Sequence, residues 1–119
     1  MSTLELDKSG TTYKNVDEII SYFKDKVDAH QAAIMISIFD HYAHTKSLQD
    51  GSIEESILDA QDIVFCFGTA LPNPQVLAVR PRPIGVAKLQ DKFVISFMES
   101  PMPTANIAME EWVLGLQNA

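Results

Sequence analysis

Two stretches of this chain, Ala33-Ile34-Met35-Ile36-Ser37-Ile38-Phe39 and Ile63-Val64-Phe65-Cys66-Phe67, are apolar at odd and even positions alike. Alternate side chains of a strand point to opposite faces, so a sheet with one wet face alternates apolar with polar residues. Neither stretch alternates. Both are expected to be central strands covered on both sides, and the chain offers too few helices to cover both. The pattern points to a partner, and a two-fold symmetric second copy supplies one.

The remaining elements follow from local signals. At 119 residues the chain has the size of one domain, residues 1–119. Leu4-Glu5-Leu6 is a candidate edge strand. Asn15, with Glu18 three residues on, is an Asn-based analogue of a capping box, and Val16, Ile19, Ile20, Phe23 and Val27 recur at helical spacing behind it. His30 near the end of that helix suits its dipole. Over 33–44 a helical phase would align His30, Ile34, Ser37, His41 and His44, but the β-branched density favours a strand. Asp50-Gly51 marks a turn, and Ser52 with Glu55 forms a second capping box that predicts a short helix to about Asp59.

Val76 to Val79, flanked by prolines, reads as an edge strand. Gly85–Leu89 and Phe93–Met98 read as a hairpin turning at Gln90-Asp91. The last helix starts near Thr104, with Ala105, Ala108, Met109, Trp112 and Leu116 as its core stripe and Ile107 and Leu114 as a thinner apolar strip opposite. The expected fold is α+β: an antiparallel sheet of four to five strands with helices packed on one face, a two-layer sandwich. The other face is expected to pack on a second copy as a homodimer.

Net charge is −7, and residues 1–62 carry twelve acids against five lysines. An acidic surface repels phosphate backbones and anionic lipid, so nucleic-acid and membrane partners are disfavoured. Cys66 is the one cysteine, which rules out an internal disulfide. The first ten residues lack the basic start and apolar stretch of a signal peptide, and no apolar run reaches the ~20 residues that cross a bilayer. A cytoplasmic protein is the expectation.

The densest set of functional side chains is Phe39-Asp40-His41-Tyr42-Ala43-His44. In an extended strand His41 and His44 face opposite sides, and Asp40 and His44 lie ~13 Å apart, too far for one ion. A metal site is not expected, since only a helix or a bend after His41 brings these ligands together. The preferred reading ends a strand at Asp40 and His41 with bonds to nearby backbone. Cys66 sits in an apolar run with no local cation, as a small hydrophobe does; the alternative has the even-numbered face of its strand meet His41 across the sheet. Arg80 and Arg82, the only arginines, project to one side of a proline-stiffened stretch. Pairing with surplus carboxylates is preferred over a two-fork anion clamp. The six prolines fall in three Pro-x-Pro pairs that stiffen loops, and no phosphate-binding glycine loop, Gly-x-Ser-x-Gly or Cys-x-x-Cys is present.

The succession of an apolar strand, Asp40-His41, a strand ending Phe67-Gly68, a proline-bearing loop, a hairpin and Pro101 resembles domain-of-unknown-function family 302 over roughly residues 16–101. That family carries an Ile-Asp-His strand end, a Phe-Gly-Asn-Pro strand end and a closing Asp-Pro. Here Phe39 stands in the Ile position, Thr69-Ala70 replace Asn-Pro, and Ser100-Pro101 closes. The resemblance implies a small α+β fold with Asp40 and His41 as the site, and no defined activity.

The leading functional expectation is a non-catalytic, homodimeric binding or accessory domain for a small anionic ligand or a partner protein, without a cofactor. Its pocket would be lined by Asp40, His41, Tyr42 and His44 together with Arg80 and Arg82. The alternative is a small enzyme with His41 as general base and Asp40 or Cys66 nearby.

Overall fold

The structure, a computed structural model, describes residues 1–118. Five strands, β1 (Ser2–Asp7), β2 (Ala33–Asp40), β3 (Asp59–Phe67), β4 (Pro81–Lys88) and β5 (Lys92–Phe97), form one open antiparallel sheet in the order β1-β5-β4-β3-β2. Helices α1 (Val16–Ala29) and α3 (Pro103–Leu114) supply the second layer, and a short helix α2 (His41–Ser47) follows β2 directly. The α+β sandwich expected from the pattern is the observed fold.

One face of the sheet carries the core. Ile63, Phe65 and Phe67 of β3, Ile84 and Val86 of β4, and Phe93, Ile95 and Phe97 of β5 are buried at alternate positions, as period-two side chains require. Helix α1 meets them with Val16, Ile19, Ile20, Phe23 and Val27, and α3 with Ala105, Ala108, Met109, Trp112 and Val113. The Asn15 side chain accepts the Glu18 amide, so α1 starts where its capping signal put it. Phe65 lies at the centre, edge-on to both Phe67 and Trp112.

Tyr22 joins the two helices by donating its hydroxyl to the Trp112 carbonyl at 2.7 Å. Burial, and then the neighbouring Tyr13, push its phenol above the ordinary 10.0. The folded state thus favours the protonated phenol. The contribution is complete below the unfolded value and lost as pH rises through the higher folded one. Tyr22→Phe is expected to lower stability by about 1 kcal/mol near neutrality and to flatten the alkaline decline, read by urea unfolding on either side of pH 10.0.

Four expectations need correction. First, β2 is an edge strand and not a central one, and Ile34, Ile36, Ile38 and Phe39 are exposed on it. Second, the strand preferred over 33–44 extends only to Asp40, which bonds nearby backbone as the preferred reading of that residue has it, and residues 41–47 coil into α2. The Asp40 carboxylate accepts the Ala43 amide at 2.8 Å and caps that helix, so the polar cap outweighs the strand preference of the preceding run. Third, the capping box at Ser52 and Glu55 opens no helix; Glu54 instead bonds the Ser56 amide and hydroxyl, and the segment is a loop. A local side-chain bond competes with the helix there. Fourth, Pro74–Ala78 is a 3-10 turn and not an edge strand, because Pro74 presets its first position.

A β-bulge between Met35 and Ser37 changes the parity of β2. Before it Ile34 pairs with Cys66; after it Ser37 pairs with Val64 and Phe39 with Asp62. One inserted residue exchanges the two faces of the strand. Phe39 is thereby turned to the face away from α1 and α3, alongside Asp62, Val64 and Cys66.

Candidate functional site

Where β2 ends, three elements converge on that outer face. Asp62 of β3 stands among Phe39, Val64 and Gly85, its register neighbours on the sheet. Its side chain is only 21% exposed, and Oδ1 is buried with no hydrogen-bond partner. A carboxylate is costly in such surroundings unless a partner compensates it. The partner is His41, the first residue of α2, whose Nε2 lies 3.2 Å from Asp62 Oδ2. The imidazole rests edge-on against Phe39 at 4.6 Å between ring centres, and His44 lies 5.3 Å from the same ring.

The Asp62 carboxylate faces the Nε2 side of the ring, which leaves the Nδ1 side open. Among the described residues it has no protein partner. Beside it, α2 and the loop after it enclose a cleft of about 180 Å³ lined by His41, Tyr42, Thr45, Ser52, Ile53 and Glu54. Gly51 admits this path: a Cβ there would sit 2.0 Å from the Thr45 carbonyl oxygen. The arrangement places one imidazole, hydroxyl side chains and the Glu54 carboxylate around a small cleft whose walls are otherwise apolar, Ile53, Ile57 and Ala60 among them.

The expected site residues separate into two groups. Asp40, His41, Tyr42 and His44 lie together, but Asp40 is occupied as the cap of α2. Arg82 pairs with Phe65 and Asp40 with Gln61, four register positions apart along β3, or about 13 Å. Arg80 lies further on, donating to the carbonyls of Ala70 and Gly68. The single pocket of histidines and arginines therefore does not form. Cys66 is also about 13 Å along β3 from Asp62 and pairs with Ile34 and Pro81. It does not meet His41. The preferred pairing of the arginines with carboxylates is likewise absent among the described residues. These also contain no group of three or more His, Cys, Asp or Glu side chains placed to hold a metal ion.

Asp62 and Glu54 were not singled out from sequence. Asp62 shares parity with Val64 and Cys66, so extending that strand one turn of the pleat earlier exposes an acid on an otherwise apolar face. Glu54 carried no comparable signal.

The chain matches the model of a family of unknown function, DUF6858, over residues 1–118, and it belongs to that family. The resemblance to family 302, which rested on a handful of short matches, is corrected accordingly. Comparison with curated proteins and with solved structures gives no match. No helix among the described residues is long and apolar enough to cross a membrane.

Proposed function

We propose that this domain carries out proton transfer on a small molecule held in the cleft beside α2, with His41 as general base and Asp62 as its positioning residue. The observation that supports this is the 3.2 Å contact between His41 Nε2 and a carboxylate kept in a largely apolar face. A half-buried acid there has no evident structural use except to hold the ring. It fixes which nitrogen is free and stabilises the imidazolium formed when Nδ1 accepts a proton. Asp40 acts one step away, by starting α2. The test is a screen of ester, phosphoester and carbon-acid substrates with the wild type, His41→Gln and Asp40→Ser. Turnover lost in His41→Gln and retained in Asp40→Ser, which keeps a cap, supports the reading. No turnover by the wild type, or equal turnover by His41→Gln, overturns it.

A separate observation favours a second reading, self-association. The molecule measures 43 × 42 × 22 Å, and its thinness reflects an outer sheet face without a helical layer. On the β2–β4 side that face presents Ile34, Phe39, Val64, Cys66 and Pro83, with the Glu5–Lys92 ion pair confined to the β1 side. A second copy seated face to face would shelter this apolar half, and a standard interface needs ~800 Å² per partner. The bulge in β2 disfavours edge-to-edge extension. Sedimentation is expected to give a dimer that Ile34→Asp converts to a folded monomer; a wild-type monomer at high concentration rules the dimer out.

A further inference from the structure

The opposite end of the sheet holds a second cavity, and its chemistry differs from that of the His41 cleft. About 230 Å³ in volume, it lies between the end of β3, the 3-10 turn, the start of β4 and the N-terminus of α3. Phe67, Val76, Val79 and Met102 give it apolar walls, and Arg80 and Arg82, the chain's only arginines, line it as well. No acidic side chain is among its lining residues.

The arginines are the anomaly. In a chain with sixteen acids, neither forms an ion pair among the described residues. Arg80 gives two of its donors to the carbonyls of Ala70 and Gly68, but its Nε is buried without a partner. Arg82 Nε is buried and unpartnered too, and no protein acceptor for any Arg82 donor occurs among the described residues. Buried guanidinium nitrogens normally find acceptors, because leaving them unmade is costly. Arg80 thus keeps one buried donor unmet, Arg82 makes no protein hydrogen bond among the described residues, and the cavity wall carries positive charge that no lining acid neutralises.

The surroundings are fixed in advance. Asn106 clamps the Ser100 backbone from both sides, accepting its amide at 2.6 Å and donating to its carbonyl at 2.8 Å. Gly68, at φ 101°, lets the chain pass close to Met102 and the Arg80 guanidinium, where a Cβ would lie 3.3 Å from the Met102 methyl. Helix α3 borders the same cavity through Met102 and Ala105, but Pro103 has no N–H and the Ala105 and Asn106 amides already bond the Met102 carbonyl, so the arginines carry the positive charge of the site.

We propose that this cavity binds a small carboxylate with an apolar body, its carboxylate on Arg82 and Arg80 and its hydrocarbon against Phe67, Val76 and Met102. The apolar walls distinguish such a ligand from inorganic phosphate, which would leave them unfilled. A cavity of ~150 Å³ suffices for benzene, so this one suits an aryl carboxylate or a short fatty acid. The site is independent of His41 and stands or falls separately from the proton-transfer reading.

Calorimetric titration of the full chain with benzoate, hexanoate, benzyl alcohol and inorganic phosphate tests this. Either carboxylate is expected to bind, with shift changes confined to Phe67, Val76 and Met102 in NMR spectra. Benzyl alcohol and phosphate should bind about tenfold more weakly or worse. Arg82→Gln is expected to weaken carboxylate binding about tenfold or more, with Arg82→Lys intermediate, since it keeps the charge and loses the fork. Circular dichroism of each variant separates lost binding from lost folding, and His41→Gln should bind as the wild type does. Equal binding of the alcohol, binding unchanged in folded Arg82→Gln, or no binding of either carboxylate overturns the assignment.

Discussion

Phe65→Ala is expected to destabilise the domain by about 3–5 kcal/mol, the range for removing a buried aromatic ring from a packed core. Phe65 is fully buried on the helix-covered face of β3, and its ring is the shared neighbour of Phe67 and Trp112. Trp112 stacks on Phe67 as well, so the three rings bind the sheet to α3 as a unit. Truncation removes the hydrophobic transfer term and leaves a hole that the flanking rings cannot fill without tilting. Domains of this size are stable by about 5–15 kcal/mol, so the loss removes a large share of the total. The check is the urea midpoint, against Leu114→Ala on the exposed side of α3, for which a change within about 0.5 kcal/mol is expected. Comparable losses in both variants would mean that α3 does not pack as described.

His41→Gln is expected to lower the rate of any reaction found in the α2 cleft by about 10²- to 10⁴-fold, the usual worth of a positioned general base. Glutamine retains hydrogen-bonding capacity but cannot take up a proton, so folding should be little changed at a side chain that is half exposed. Asp62→Asn should cost less, because Asp62 acts through His41. Its distinguishing readout is the imidazole nitrogen spectrum. In the wild type the neutral ring is expected to carry its proton on Nε2, facing Asp62; the asparagine amide can donate as well as accept, and the proton is then expected to distribute over both nitrogens. A rate loss in Asp62→Asn with an unchanged nitrogen spectrum would count against the positioning role.

Much of the architecture was legible in the order of residues. The apolar period of α1, the Asn15 cap, the alternation of β4 and β5 across their hairpin and the core stripe of α3 are local signals, and the structure follows them. The candidate sites were legible only as residue types. Asp40 through His44 stood out, but whether Asp40 was a reactive acid or a helix cap depended on where β2 stopped. The arginines stood out too, but the preference for carboxylate partners rested on the abundance of acids, and abundance does not bring a charge within reach.

The chain's own order of residues, then, determined which segments bury a face, because periodicity and capping act within a few residues. Only the tertiary structure decided which strand lay at the edge, that a bulge after Met35 turned Phe39 to the outer face beside Asp62, and that His41 met Asp62 and not Cys66. It likewise placed Arg80 and Arg82 at the far end of the sheet from His41. Register and strand order are relations between distant segments, and a one-residue slip leaves local composition untouched while exchanging every side chain between faces.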